Sequence, residues 1–237
     1  MFDDNFLKQL SAEPIYRTDI FYGFLFHGTR RYSFECSKEE REALYNAAEV
    51  INTFTDNLFN NGYFKQEELT KYLQTKIVNG HNTSFGWPTL ARGTTKPDSL
   101  FQYGDLYVTT SFEDALHYSN NPGGEYADIT HCNVVGLKDF KVAVPDEVNK
   151  AMELFEKEYD KHQNSERIVA AVKYVEFKDM LSERGEELRV DENDLDRFYR
   201  EHRVYRITNF DKYRDSITII PESYFKEVKK LIKESRK

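Results

Sequence analysis

Cysteine, tryptophan and methionine are nearly absent from this sequence, proline and glycine are sparse, and positive charge is outnumbered. Among 237 residues there are 2 Cys, 1 Trp, 3 Met, 6 Pro and 11 Gly, and 33 Lys and Arg face 41 Asp and Glu, a net charge of -8. The two cysteines, Cys36 and Cys132, stand far apart without chelating neighbours, which excludes a disulfide framework and a zinc site of ordinary spacing; no metal is expected. No run approaches the roughly 20 apolar residues of a membrane span. The acidic start Met1-Phe2-Asp3-Asp4 lacks the basic and apolar regions of a secretory signal, so a cytoplasmic location is expected. The glycines form neither Gly-x-Gly-x-x-Gly after a strand nor Gly-x-x-x-x-Gly-Lys-Ser/Thr, which argues against the Rossmann and P-loop modes of phosphate binding. No repeat, low-complexity tract or linker is visible.

The acidic balance argues against a binder held to nucleic acid by charge alone, because such affinity comes from counterions released by basic residues. A nucleic-acid substrate remains open through a local basic face. Arg30, Arg31, Arg92, Lys96 and the terminal Lys226, Lys229, Lys230, Lys233, Arg236 and Lys237 are candidates for one. The terminal set also fits the solvated side of a helix whose Phe225, Val228, Leu231 and Ile232 pack inward.

Aromatic residues are plentiful: 18 Phe and 16 Tyr, against a mean hydropathy of -0.72, predict an aromatic interior under a polar surface. Along the chain, a short N-terminal helix precedes the apolar run Ile20 to Gly28, which predicts a buried strand with His27 at its exit. Ser37 and Glu40 form a capping-box pattern opening a helix to about Phe59, closed by Asn60-Asn61-Gly62, and a second helix is expected from Gln66 to Val78. Residues 81–102 have the Gly, Pro, Ser and Thr content of a long binding loop. Strands are expected at Ile129–Leu137, Arg167–Phe177, His202–Ile207 and Ser216–Ile220, helices at Asp146–His162 and Glu192–Glu201, and a last helix after Pro221. The simplest architecture is one α+β domain over residues 1–237.

The stretch Tyr103 to Tyr118 carries the clearest chemistry. Leu106 and Val108 alternate with Tyr107 and Thr109 as in a strand, and Ser111 followed by Asp114 and Ala115 is an N-cap and first helical turn. At such a corner Tyr107 and Tyr118 flank a slot suited to a flat cationic ring, of which nicotinamide in NAD is one.

Three separated segments together resemble the His-Tyr-Glu ADP-ribosyltransferases, the superfamily of the poly(ADP-ribose) polymerases and the diphtheria-toxin-like enzymes. Phe26-His27-Gly28-Thr29 is similar to the first motif, and Leu106-Tyr107-Val108-Thr109-Thr110 with Ala115 and Tyr118 to the second. Glu201-His202-Arg203-Val204-Tyr205-Arg206-Ile207 is similar to the third. The resemblance implies a mainly antiparallel split β-sheet with an N-terminal helical insertion, and transfer of ADP-ribose from NAD to a macromolecular acceptor, RNA, DNA or protein. It implies that His27 bonds a ribose hydroxyl, that the Gly28 backbone takes the nicotinamide amide, and that Tyr107 and Tyr118 stack the ring. Glu201 would hold the ribose 2′-hydroxyl and favour the developing positive charge, with Thr29, Arg30 and Arg92 near ribose or phosphate. Ala115 stands where polymerase-like relatives place an amide-binding serine, so Thr109, Thr110, Ser111 or the backbone must serve instead. Glu176 and Glu187 compete with Glu201 for the carboxylate role. Compact chains of this type resemble intracellular toxins and antiviral effectors, which implies a neutralising antitoxin protein as a partner. Alternatives are an NAD-dependent RNA 2′-phosphotransferase and an inactive nucleotide- or protein-binding module.

Overall fold

The computed structural model describes residues 5–8, 15–16, 20–21, 24–65, 67, 77–78, 81–82, 106–120, 124–173, 181–183, 186–187, 204–207 and 217–234. Helices and strands are mixed in an α+β fold, and every registered strand pair among the described residues is antiparallel. The strands are β1 (Ile15–Tyr16), β2 (Ile20–Phe21), β3 (Phe24–Arg30), β4 (Ile77–Val78), β5 (His81–Asn82), β6 (Leu106–Thr109), β7 (Arg167–Lys173), β8 (Leu181–Glu183), β9 (Glu186–Glu187), β10 (Val204–Ile207) and β11 (Thr218–Pro221). The helices are α1 (Arg31–Glu35), α2 (Lys38–Asn60), α3 (Phe112–Tyr118), α4 (Gly124–Asp139), α5 (Asp146–Gln163) and α6 (Phe225–Glu234). None of them is long and apolar enough to cross a membrane. The chain divides into two compact units, one of residues 1–31, 102–121 and 166–237, the other of residues 32–101 and 122–165.

The first unit holds a seven-stranded sheet in the order β11-β7-β3-β6-β10-β8-β9. Its central strand β3 is registered to β7 along its whole length, from Phe24↔Lys173 to Arg30↔Arg167. Alternation along β3 puts Phe24, Phe26 and Gly28 on one face and Leu25, His27 and Thr29 on the other. The first face is covered by α3 and α6, so that Phe26, Phe112, Ala115, Leu116, Ile220, Phe225 and Val228 form one buried cluster. The Phe112 ring stands edge-on to Phe26 at 5.6 Å and to Phe225 at 6.2 Å, an arrangement favoured by ring quadrupoles.

The second unit is built of α2, α4 and α5 around Leu44, Ile51, Val134, Leu137, Phe155 and Tyr159. Its helices therefore come from two stretches of the chain, not from an N-terminal insertion alone. The capping box of α2 forms as the sequence implies: Glu40 N donates to Ser37 Oγ at 3.2 Å and Ser37 N to Glu40 Oε2 at 2.9 Å. Gly62, at φ +68°, follows the helix end in the left-handed region open to glycine.

Several sequence expectations are corrected. Residues 129–137 are helical, inside α4, and not a strand. The buried stripe of α4, Tyr126, Thr130, Asn133 and Leu137, has helical spacing but contains two polar side chains. Asn52 Nδ2 donates to Thr130 Oγ1 at 2.9 Å and Asn133 Nδ2 to Asn52 Oδ1 at 2.8 Å, so each makes an internal hydrogen bond, and burial there does not follow hydropathy. Ile77 and Val78 end no helix; they pair with Asn82 and His81 across Asn79-Gly80, the sequence signature of a two-residue hairpin. His27 lies inside β3, which continues to Arg30 because β7 pairs with it that far. Strand β7 ends at Lys173 among the described residues, and Pro221 closes β11, with a 3-10 turn at Glu222–Tyr224 before α6. The expected helix over 192–201 and nearly all of the 81–102 loop lie outside the described residues.

Candidate functional site

The first two motifs meet where β3 runs beside β6. Registered pairing between these strands consists of Phe26↔Thr109, whereas β3 and β7 share seven pairs. Past Phe26 a side chain carries the link: His27 Nδ1 lies 2.5 Å from the Tyr107 carbonyl oxygen. A carbonyl only accepts, so Nδ1 carries a proton, and in the neutral ring Nε2 is the acceptor. His27 is half-buried and Tyr107 likewise, at the boundary between sheet interior and surface.

Gly28 explains itself on the opposite face of β3. A Cβ built there falls 1.5 Å from the Ala115 carbonyl oxygen, 2.4 Å from its carbon and 2.9 Å from Ser119 N. The backbone of α3 thus rests directly on the strand, and glycine is required for that approach. The small residues Ala115 and Ser119, four apart on one helical face and both fully buried, complete the contact. Their spacing, two small residues one turn apart, is the sequence signal for this seat, and Ser119 lies outside the quoted motifs.

The three hydroxyls preceding α3 divide in their use. Ser111 Oγ caps the helix by accepting from Asp114 N at 3.1 Å, and Thr109 Oγ1 accepts from Ser111 N at 3.2 Å. Thr110 Oγ1 is fully buried and has no hydrogen-bond partner among the described residues. Tyr118 ends α3 with 46% of its surface exposed. Thr29 is buried on the His27 face of β3, and Arg30 is half-buried at the strand's end, cross-strand from Arg167.

Of the candidate carboxylates, Glu201 and Glu176 lie outside the described residues, as does Arg92. Position 201 precedes by three residues Val204, where β10 begins, and β10 is registered directly to β6 through Val204↔Thr109 and Arg206↔Tyr107. Glu187 belongs to β9, in one cross-strand row with Ser182, Arg206 and Tyr107. It is three strands from Tyr107, about 14 Å at ordinary strand spacing. The structure therefore brings the backbones of His27, Gly28, Tyr107 and Thr109 together where β3 meets β6, with helix α3 on the Gly28 face, the His27 side chain on the other face, and β10 as the next strand.

Both cysteines are buried free thiols. Burial pushes the Cys132 thiol up to about 12, so it is protonated at neutral pH and is no nucleophile. Compared with known proteins, the chain matches no family model, no curated protein and no solved structure.

Proposed function

We propose that the chain is an NAD-dependent ADP-ribosyltransferase that moves ADP-ribose to a macromolecular acceptor, nucleic acid or protein. The observation that carries this reading is the His27–Tyr107 junction: the two motifs most like the superfamily's are joined by a 2.5 Å hydrogen bond beside the helix that ends in Tyr118. With Nδ1 donating to the Tyr107 carbonyl, Nε2 of His27 is oriented as the acceptor for a ribose hydroxyl. Tyr107 and Tyr118 supply the ring faces. Thr110 is the hydroxyl whose capacity is not spent on helix capping, and it takes the part of the serine replaced by Ala115.

In this reaction the bond between ribose C1′ and the nicotinamide nitrogen breaks, and its electron pair leaves with nicotinamide. The oxocarbenium-like centre is then captured by an acceptor nucleophile, which gives up a proton. Glu201 holds the 2′-hydroxyl and favours the positive charge; the adjacency of β10 to β6 favours it over Glu187. A role inside the producing cell as a toxin or antiviral effector, with a neutralising partner, follows from the same reading.

The test is incubation with nicotinamide-labelled NAD. Released nicotinamide is expected from the wild type, to be lost in Glu201→Gln with NAD binding retained, because that carboxylate acts mainly in the transition state. A mass gain of one ADP-ribose in the protein, DNA or RNA fraction of treated extract identifies the acceptor. NAD binding without any turnover would instead make the chain a binding module.

A further inference from the structure

Two of the basic residues near the C-terminus, Lys226 and Lys229, are not used by the site above, and the structure places both on the lining of one cavity. Helices α3 and α6 and the start of β7 enclose an open cavity of about 450 Å³ within the first unit. Its lining carries Arg167, Lys226 and Lys229 against the carboxylates of Glu113 and Glu222, in a chain whose net charge is -8. Residues 225–237 hold six basic and two acidic side chains, so the segment that carries α6 is positive within an acidic chain.

Arg167 is pre-set. Its Nε donates to Glu222 Oε1 at 2.9 Å, Nη1 donates to Asn120 Oδ1, and the guanidinium lies 5.5 Å from the centroid of the Phe225 ring. A fork held on two sides loses little freedom when it meets an oxyanion. Register places Arg30 directly across from Arg167. Lys229 is tied to Glu113 at 3.1 Å, while Lys226 is exposed with no ion-pair partner among the described residues. Phe225 and Val228 are buried in the core and Leu231 packs against it, so these apolar residues of α6 are not available to a lipid surface.

We propose that this groove is an anion site that binds phosphate groups through Lys226, Lys229 and Arg167, the phosphates being those of a nucleic-acid backbone or of a free phosphate compound. The phosphate takes the open cation Lys226 first and shares Lys229 and Arg167 with their carboxylates. The proposal is independent of NAD turnover, since none of the three residues belongs to the His27–Tyr107 corner.

The experiment measures binding of a fluorescein-labelled single-stranded RNA and, separately, of inorganic pyrophosphate, to the full chain without NAD. The variants are Lys226→Glu, Lys226→Gln with Lys229→Gln, and Lys150→Glu as a control on exposed α5 in the other unit. The RNA arm uses anisotropy across salt concentrations, and the pyrophosphate arm uses calorimetry. We expect Lys226→Glu to lower RNA affinity about three- to tenfold, and the double Gln variant to reduce the salt slope by about 1.4, at roughly 0.7 per phosphate contact on a single strand. Lys150→Glu should stay within about twofold, the range of a diffuse charge effect. Loss in the RNA arm assigns the backbone as the source, and loss confined to the pyrophosphate arm assigns a free phosphate compound. Equal effects of Lys226→Glu and Lys150→Glu, or no loss in either arm, would overturn the site. Unchanged thermal melting of the double Gln variant guards against a folding defect.

Discussion

Replacing Gly28 by alanine adds one methyl group to the strand, and the structure says where it must go. The added carbon lands 1.5 Å from the Ala115 oxygen, and ordinary contact begins near 3.4 Å, so close to 2 Å of separation has to be found. The obstructing atoms are the carbonyl of Ala115 and the nitrogen of Ser119, both backbone, so no side-chain rotation relieves the clash. Helix α3 has to withdraw, and it is held by Phe112, Ala115 and Leu116, which are 0%, 0% and 7% exposed. Overpacking a core costs about 1 to 3 kcal/mol where side chains can adjust. With backbone on both sides we expect at least the upper end, about 3 kcal/mol. For a chain of this size that lowers the melting temperature by roughly 6 to 12 °C. Far-UV circular dichroism melts and urea unfolding of Gly28→Ala measure this directly. A second-site Ala115→Gly change should give no rescue, because the clash is with main-chain atoms. A melting point within about 2 °C of wild type, or full rescue by Ala115→Gly, would refute the packing account and leave Gly28 as a ligand contact only.

Three further outcomes are expected. Tyr107→Ala should weaken NAD binding by several-fold to a hundredfold, since a lost aromatic stack on a base costs about 1 to 3 kcal/mol; unchanged affinity in a folded variant removes Tyr107 from the ring slot. His162 is 2% exposed, and burial first, then the nearby Arg41 cation, lowers its imidazole to about 4 from an ordinary 6.5; Lys161 also lowers it, and Glu158 and Glu40 act the other way. Below pH 6.5 the unfolded chain takes up a proton that the folded one refuses, so stability falls with pH between 6.5 and 4, by on the order of 3 kcal/mol in all. Urea unfolding at pH 7 and pH 5 should show a smaller loss in His162→Gln than in wild type, and equal losses would remove His162 as the cause. Asn52→Ala leaves the buried Asn133 Nδ2 without its acceptor and removes the donor to Thr130 Oγ1, which still donates to the Tyr126 carbonyl, and should cost about 2 to 3 kcal/mol. Changing Asn52 and Asn133 together to leucine should recover most of that in chemical denaturation, and an undiminished deficit would count against the hydrogen-bond explanation.

What the sequence determined by itself is the local part of the structure. The Ser37–Glu40 box, the Ser111 cap, the β6 alternation and the long amphipathic α5 all formed as their patterns imply, because each depends on residues within a turn or two of one another. The motifs at His27 and Tyr107 were also visible as residue types in order.

Tertiary structure alone decided the rest. Residues 129–137 are helical, and the buried Thr130 and Asn133 on that helix find a partner in Asn52, about 80 residues away, which no local pattern shows. That His27 sits within a strand was set by the length of β7, which pairs with it as far as Arg30. The seat of α3 on Gly28 and the gathering of Arg167, Lys226 and Lys229 around one cavity join residues from three separate segments. Backbone pairing, close approach and shared cavities depend on distances across the fold, and a one-dimensional pattern carries periodicity but not those distances.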